Sequence, residues 1–162
     1  MTGKRRYPSK HKGRPVKSRY IVKNVEKYVG NSKAIICRSS WERVFCAFLD
    51  RNPKVIKWSS EETVIPYISP KDNKPHRYFV DFTVKFDDDS VFLIEIKPYK
   101  ETIPPKKPKR KTAKTVQRYN REAVTYLVNQ AKWESATKYA EKNSAKFVCY
   151  TENELRGLGL PV

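Results

Sequence analysis

The sequence predicts an α/β domain in which a mixed sheet is flanked by helices. Apolar residues at helical spacing occupy 39–52, and apolar residues alternate with polar ones in 77–86. A second strand-like segment at 91–97 is followed by a long helical pattern at 112–143 and a last strand at 146–151. The order of a helix, antiparallel strands, a second helix and a final strand is typical of a small α/β sandwich with a mixed sheet.

The first helix is predicted between Ser39 and Asn52. Ser39 or Ser40 can cap its beginning, and the Asn52-Pro53 pair ends it. The apolar positions recur at i, i+3, i+4, i+7 and i+8, which places them on one face. They are Trp41, Val44, Phe45, Phe48 and Leu49.

Strands joined by turns are predicted for the middle of the chain. In 77–86 the alternation places Asp81 on the face opposite to Val80 and Phe82. Three consecutive aspartates, 87–89, form a turn before the next strand. The predicted strands lie at 55–58, 62–68, 77–86 and 91–97, with a loop at 69–75.

The region after these strands is predicted to be a loop and then a helix. Residues 98–111 contain four prolines, which exclude a helix or a central strand there. From about Thr112 to Asn143 the apolar spacing is helical, with a possible break near Gln130.

Nearly all of the net charge lies in two segments. The chain has a formal net charge of +18, of which residues 1–33 contribute +10 and residues 104–118 contribute +7. This distribution predicts a flexible basic arm at 1–33, a folded domain at 34–162 and a basic Pro/Lys loop at 98–111. Such segments typically bind nucleic acid. The alternative is that they increase solubility or bind an acidic protein. The candidate DNA-binding residues are Lys4, Arg5, Arg6, Lys106, Lys107, Lys109, Arg110 and Lys111.

Cysteine, histidine and hydropathy patterns exclude other classes. The three cysteines have no CxxC spacing and there are only two histidines, so a zinc site is not expected. No apolar run approaches the roughly 18 residues that a membrane span needs. We therefore expect a soluble, intracellular protein with free thiols.

The segment 91–98 is unusual because it places charges inside an apolar strand. It reads VFLIEIKP, in which Glu95 and Lys97 share one face. Folding 77–86 and 91–97 into a hairpin sets Asp81 opposite Glu95 or Lys97. Two neighbouring carboxylates repel each other, and a hard divalent cation would join them, with the Ile96 carbonyl as a further ligand. The alternative is a structural ion pair between these acids and Lys97 or arginines.

Glu42 is a further candidate because it lies at the border of the buried face of the first helix. From there it could reach the sheet and complete a metal site. Ser39-x-x-Glu42 is equally a capping box, which needs no catalytic explanation. Spacing alone leaves both interpretations open.

These residues resemble the PD-(D/E)xK nuclease superfamily. Asp81 matches its first acid, and Glu95-x-Lys97 matches its second acid and its lysine; Val80 stands where the motif has proline. The segments RSSWERVFCAFLDRNPKVIKWSSEETVIPYISP, HRYFVDF, LIEIKP and KFVCYTENEL are similar to the head-completion nucleases of T-even-type tailed bacteriophages. They are more distantly similar to the endonuclease subunit of heteromeric transposases. The resemblance covers about Arg38 to Leu155.

The resemblance implies a restriction-endonuclease-like core and Mg²⁺- or Mn²⁺-dependent cleavage of double-stranded DNA. Asp81, Glu95 and the Ile96 carbonyl would hold the metal, Glu42 a second ion or water, and Lys97 would position or deprotonate the nucleophile. Gln117 and Lys132 are weaker candidates for DNA contacts, since most helix residues of this kind are simply solvated.

The same resemblance implies a role in phage head completion after DNA packaging. Portal or neck proteins would be partners, and the location would be the host cytoplasm during assembly, or the virion. The alternative is a structural head-completion protein that keeps the nuclease fold and binds DNA or the portal without essential cleavage.

Overall fold

A four-stranded mixed sheet forms the centre of the computed structural model, which describes residues 17–162. Its order is β3 (Val55–Ser60), β6 (Phe82–Phe86), β7 (Val91–Ile96) and β8 (Lys146–Tyr150). The first three strands are antiparallel, and β8 runs parallel to β7. Helices lie on both faces, so the predicted α/β class with a mixed sheet is confirmed.

The two long helices cover opposite faces of this sheet. Helix α1 (Ser40–Arg51) begins after the cap Ser39 and ends at Asn52, as predicted. Helix α3 (Ala113–Lys142) is continuous, so the predicted break near Gln130 is wrong. The helix continues because it contains no proline or glycine between its ends.

Alternation along β7 divides the core into two clusters. Ile94 and Ile96 are buried on the α1 side together with Phe82. Leu93 is buried on the α3 side together with Val80. Since both faces of β7 are covered, its charged residue Glu95 is also buried, with 4% of its surface exposed.

The predicted strand 77–86 is divided into two strands. Strand β5 (Lys74–Phe79) pairs with β4 (Val64–Ser69) in a separate ribbon, and the chain bends at Asp81 before it enters β6. Glu61 bends the neighbouring connection with a left-handed φ of 55°, and its N–H donates to the Asp81 carbonyl at 3.2 Å. The connection between β3 and β4 and the connection between β5 and β6 therefore bend at the same corner. Asp81 lies at this corner, outside the regular strands.

The prediction of a flexible arm over 1–33 is wrong for residues 17–33. Strand β1 (Ser18–Arg19) pairs with β2 (Ile36–Cys37), and a 3₁₀ turn follows at Val25–Lys27. The physical reason is that apolar side chains between the basic residues enter the α1-side core: Tyr20, Val22 and Tyr28. Residues 1–16, the rest of the predicted arm, lie outside the described residues.

The predicted loop 98–111 and the C-terminus each contain a short helix that the sequence interpretation missed. Helix α2 (Tyr99–Thr102) follows Pro98 directly, and the other three prolines of the segment come after it, so they do not prevent one helical turn. Helix α4 (Glu152–Gly157) begins with a reciprocal capping box between Thr151 and Glu154. No helix within residues 17–162 is long and apolar enough to cross a membrane.

Candidate active site

Asp81, Glu95 and Lys97 meet where the bend before β6 lies beside the end of β7. The pairing of Phe82 with Ile94, continued by one residue, sets Asp81 opposite Glu95, which is one of the two predicted registers. Asp81 Oδ2 accepts a hydrogen bond from the Ile96 N–H at 2.8 Å. The Lys97 ammonium lies 3.1 Å from Glu95 Oε1. The hairpin therefore brings the three predicted side chains together.

Each of these charges alters the protonation of its neighbours. Burial raises the pKa of Asp81, and the adjacent Glu95 raises it further, although the Ile96 N–H and Lys97 act in the opposite direction. Burial lowers the pKa of Lys97, but Glu95 and Asp81 outweigh it, and the net pKa lies above the usual value. The Lys97 side chain is therefore an ammonium at neutral pH.

Glu42 is held in a capping box at the beginning of α1. Its carboxylate accepts hydrogen bonds from the Arg38 N–H at 2.7 Å and from the Ser39 hydroxyl at 2.9 Å. The Ser39 oxygen in turn accepts from the Glu42 N–H at 3.1 Å. The negative charge of Glu42 still contributes to raising the pKa of Asp81, so it belongs to the same electrostatic environment.

The donor chemistry at this corner suits a hard divalent cation, with two carboxylates from adjacent strands. Within residues 17–162, however, no group of three or more Asp, Glu, His or Cys side chains is arranged closely enough to hold a metal ion. Glu42 is thus not brought into a common ligand cluster with Asp81 and Glu95. At Ile96, the contact that the structure defines is its N–H to Asp81.

Two neighbours of the acids were missed in the sequence interpretation. The Tyr78 hydroxyl donates to Glu95 Oε2 at 2.6 Å in the buried interior. Glu61 pairs with Arg38 at 2.7 Å, and burial raises its pKa, with contributions from Glu42 and Glu95. Tyr78 was visible only as part of an apolar alternation, and nothing in the local sequence distinguishes Glu61 from a surface acid.

The predicted DNA-binding residues are described only in part. Lys4, Arg5 and Arg6 lie outside the described residues. The cluster in the loop after α2 is exposed and precedes α3: Lys106, Lys107, Lys109, Arg110 and Lys111. Lys106 also lines a cavity of about 570 Å³ between this loop and α3, which includes Arg121 and Tyr126.

Comparisons with known proteins identify the family of this chain. Residues 52–152 match the family model described as TnsA-like endonuclease N terminal, a range that contains Asp81, Glu95 and Lys97. The chain is 45% identical over 141 residues to the head completion nuclease of Enterobacteria phage T4, covering 87% of this chain and 94% of that protein. No solved structure matches the chain. The family match shows that the chain belongs to the TnsA-like endonuclease family, and the extensive identity shows that it belongs with the head completion nucleases.

Proposed function

We propose that this protein is a divalent-metal-dependent DNA endonuclease that acts in the completion of a phage head after DNA packaging. The observation that carries the proposal is the half-buried Asp81 beside the buried Glu95, with the Lys97 ammonium 3.1 Å from Glu95. The name of the phage T4 relative supports the role in head completion. An acidic pair at this depth is costly unless a cation or a reaction requires it.

Asp81, Glu95 and the Ile96 carbonyl would hold Mg²⁺ or Mn²⁺. When bound, such an ion polarises the scissile phosphate and lowers the pKa of coordinated water. Burial, and after it the adjacent Glu95, raises the pKa of Asp81; a cation bound between the two carboxylates would favour their ionised forms against both effects.

Lys97 would position the reacting groups as a fixed positive charge. Its raised pKa disfavours the role of a proton acceptor, so of the two roles that we predicted, orientation of the attacking water or of the phosphate is favoured. Glu42 would bind a second ion or a water molecule only after release from the cap at Arg38 and Ser39.

The exposed basic residues of the loop after α2 would bind the phosphate backbone of double-stranded DNA, together with Lys4, Arg5 and Arg6. Backbone contacts of this kind give affinity without sequence preference. Portal or neck proteins are the proposed protein partners. The proposed location is the host cytoplasm during assembly, with the virion as the alternative.

Cleavage of supercoiled plasmid by the purified protein tests this function. We expect nicking with Mg²⁺ or Mn²⁺, none with EDTA, and loss of nicking in Asp81→Asn and Glu95→Gln. Glu134→Gln is the matched control, because Glu134 is an exposed acid on α3 that pairs with Lys138. Cleavage that persists in both site variants would overturn the assignment of the active site.

The second candidate is a head-completion protein that keeps the nuclease fold but works by binding DNA or the portal. The capped state of Glu42 and the lack of a cluster of three metal-ligating side chains within residues 17–162 favour it. This candidate predicts no plasmid nicking with any divalent ion, and DNA binding that is retained when measured by fluorescence anisotropy.

A further inference from the structure

Helix α3 places a second lysine beside the acidic pair. The Lys132 ammonium lies 5.6 Å from the ring centroid of Tyr78 and 5.8 Å from that of Tyr67. Both distances are within the range of a cation–π contact. The two rings come from the paired strands β5 and β4, so the sheet ribbon and the helix together define the position of this ammonium.

Tyr78 connects this lysine to the candidate site. Its hydroxyl end donates to Glu95, and its ring face underlies Lys132. Asp81, Glu95 and Lys97 are all close enough to influence the protonation of Lys132. Lys132 therefore faces the acidic pair from the helix side of the sheet.

The two lysines near the acids differ in their partners. Lys97 forms an ion pair with Glu95, whereas Lys132 has no hydrogen bond or ion pair within the part of the chain that the structure describes. Burial lowers the pKa of Lys132, and Lys97 adds to that effect. The two rings attract the ammonium but supply no full counter-charge, so a half-buried ammonium without an ion-pair partner in the described chain points to an anion from outside the chain.

A phosphodiester group is the anion that the site chemistry favours. Asp81, Glu95 and Lys97 together contribute a charge of about −1 when ionised, and a divalent cation would change this to about +1. Phosphoryl transfer develops further negative charge on the phosphate oxygens, which an additional fixed cation stabilises. Lys132 is the described residue whose position and lack of a partner suit this task.

We propose that Lys132 is a second phosphate-binding cation of the active site, which Tyr67 and Tyr78 hold against the scissile phosphodiester. The proposal rests on the nuclease function proposed above. Lys132 stabilises charge and orients the phosphate; it takes no part in proton transfer.

The test compares Lys132→Met, which keeps the stem over the rings, with Lys132→Arg, which keeps the charge. Lys138→Met is the control, because Lys138 is exposed on the same helix and pairs with Glu134. Affinity for a short DNA duplex is measured by fluorescence anisotropy across a range of KCl concentrations with Ca²⁺, so that a divalent cation offsets the negative charge of the acids. Single-turnover cleavage is measured separately with Mg²⁺.

We expect Lys132→Met to reduce the slope of log affinity against log salt by about 0.9, the value of one phosphate contact. Single-turnover cleavage should fall by about a hundredfold, as when one preorganised donor to a developing anion is removed. Lys132→Arg should retain most of the salt slope and most of the cleavage rate, and Lys138→Met should resemble the wild type in both.

An unchanged salt slope in Lys132→Met would overturn the proposal, as would an equal effect in Lys138→Met. A reduced slope with unchanged cleavage would place the phosphate away from the scissile bond and would also overturn it. If the wild type does not cleave DNA, the nuclease function fails, and the binding experiment with Ca²⁺ still decides whether Lys132 contacts phosphate. Circular dichroism checks folding, and Lys132→Gln replaces Lys132→Met if that variant does not fold.

Discussion

At the scale of single residues, the position of Glu95 depends on contacts from two sides. Lys97 binds one carboxylate oxygen at 3.1 Å, and the Tyr78 hydroxyl binds the other at 2.6 Å. Both oxygens are thus engaged, and the carboxylate cannot rotate freely. Such supporting hydrogen bonds determine how well a metal-binding carboxylate is oriented.

The change Tyr78→Phe removes one of these supports and keeps the ring. We expect the Mg²⁺ concentration for half-maximal cleavage to rise by roughly ten- to a hundredfold, as for other partners of metal ligands. Metal titration of cleavage measures this effect, which a purely structural role of Tyr78 would not produce. Tyr67→Phe is the control, since the Tyr67 hydroxyl has no hydrogen-bond partner among residues 17–162. Equal metal titrations for the two variants would show that Tyr78 does not position Glu95.

The two interpretations of Glu42 can be separated with Glu42→Gln. Glutamine also completes a capping box at this position, so the stability of α1 should change little. If Glu42 also serves the reaction, cleavage should fall by about tenfold or more while the melting temperature stays within a few degrees. Plasmid nicking and thermal unfolding of the same preparation give both values. Wild-type cleavage in this variant would assign Glu42 to capping alone.

At the scale of elements, hydrogen bonds to Asp50 of α1 hold residues 17–33 against that helix. It is fully buried, and its carboxylate accepts hydrogen bonds from the Tyr20 hydroxyl at 2.9 Å and from the backbone N–H of Lys23 at 2.8 Å and of Asn24 at 3.0 Å. Through these bonds the basic N-terminal segment is joined to the helix that carries Glu42. The bonds explain why this segment follows a fixed path despite its charge.

We expect Asp50→Asn to reduce the free energy of unfolding by about 3 kcal/mol. Asparagine has a single acceptor oxygen, and its amide would face backbone donors that are already buried. Urea unfolding measures the loss. Asp89→Asn is the control, because Asp89 is exposed in a turn and pairs only with Lys85 in the described chain. A loss below about 1 kcal/mol would mean that the apolar contacts of residues 17–33 suffice.

The same carboxylate makes stability depend on pH. Burial raises the pKa of Asp50, but the hydrogen bonds from Lys23, Asn24 and Tyr20 outweigh it, and the net pKa is below the ordinary 3.8. A group with a lowered pKa in the folded state stabilises the fold above its unfolded pKa and loses this contribution as the pH falls through the folded pKa. Wild-type stability should therefore decline below about pH 4 more steeply than that of Asp50→Asn. Urea unfolding at several pH values between about 2 and 6 gives the free energy of unfolding against pH for the wild type and for Asp50→Asn. Parallel profiles would show that Asp50 is not the origin of the pH dependence.

At the scale of the whole molecule, most of the excess positive charge lies in two segments of the sequence. Residues 1–16 contain six lysines and arginines and residues 104–118 contain seven, which together make +13 of the net +18. The second of these segments leads into the exposed beginning of α3. These two segments are therefore the proposed contacts to the DNA backbone.

Deletion of residues 1–16 should reduce the salt dependence of DNA affinity without unfolding the protein. Each lost phosphate contact lowers the slope by about 0.9, and anisotropy titrations at several salt concentrations measure it. Deletion to residue 30 should instead unfold the domain, because it removes Tyr20, Val22 and Tyr28 from the core. An unchanged slope in the shorter deletion would count against an N-terminal DNA contact.

Replacement of the five basic residues of the loop after α2 by glutamine should reduce the slope of log DNA affinity against log salt concentration. The variant changes Lys106, Lys107, Lys109, Arg110 and Lys111. A control variant with the same loss of charge shows whether position or net charge matters; it changes Lys54, Lys71, Lys74, Lys138 and Lys142. Equal slopes in the two variants would mean that only the total charge matters and that the loop is not a specific contact.

Local patterns in the sequence predicted several features because each depends on neighbouring residues. The spacing of apolar residues and the caps defined α1, and alternation with the aspartate turn defined the hairpin of β6 and β7. Either register that the sequence allowed for this hairpin places Asp81 beside Glu95 and Lys97, and the structure has Asp81 opposite Glu95. The comparisons confirm the resemblance to head-completion and TnsA-like nucleases, which longer segments of the sequence carried.

Other features were decided only by tertiary structure, because they depend on segments that are distant in sequence. Residues 17–33 resemble a disordered arm in composition, but burial against α1 and the bonds to Asp50 outweigh their charge. The bend at Asp81 arises because the strands change partners, and Lys132 reaches Tyr67 and Tyr78 only through the packing of α3. The sequence thus determined which residues could carry the chemistry, and long-range packing decided which charges face one another across the core.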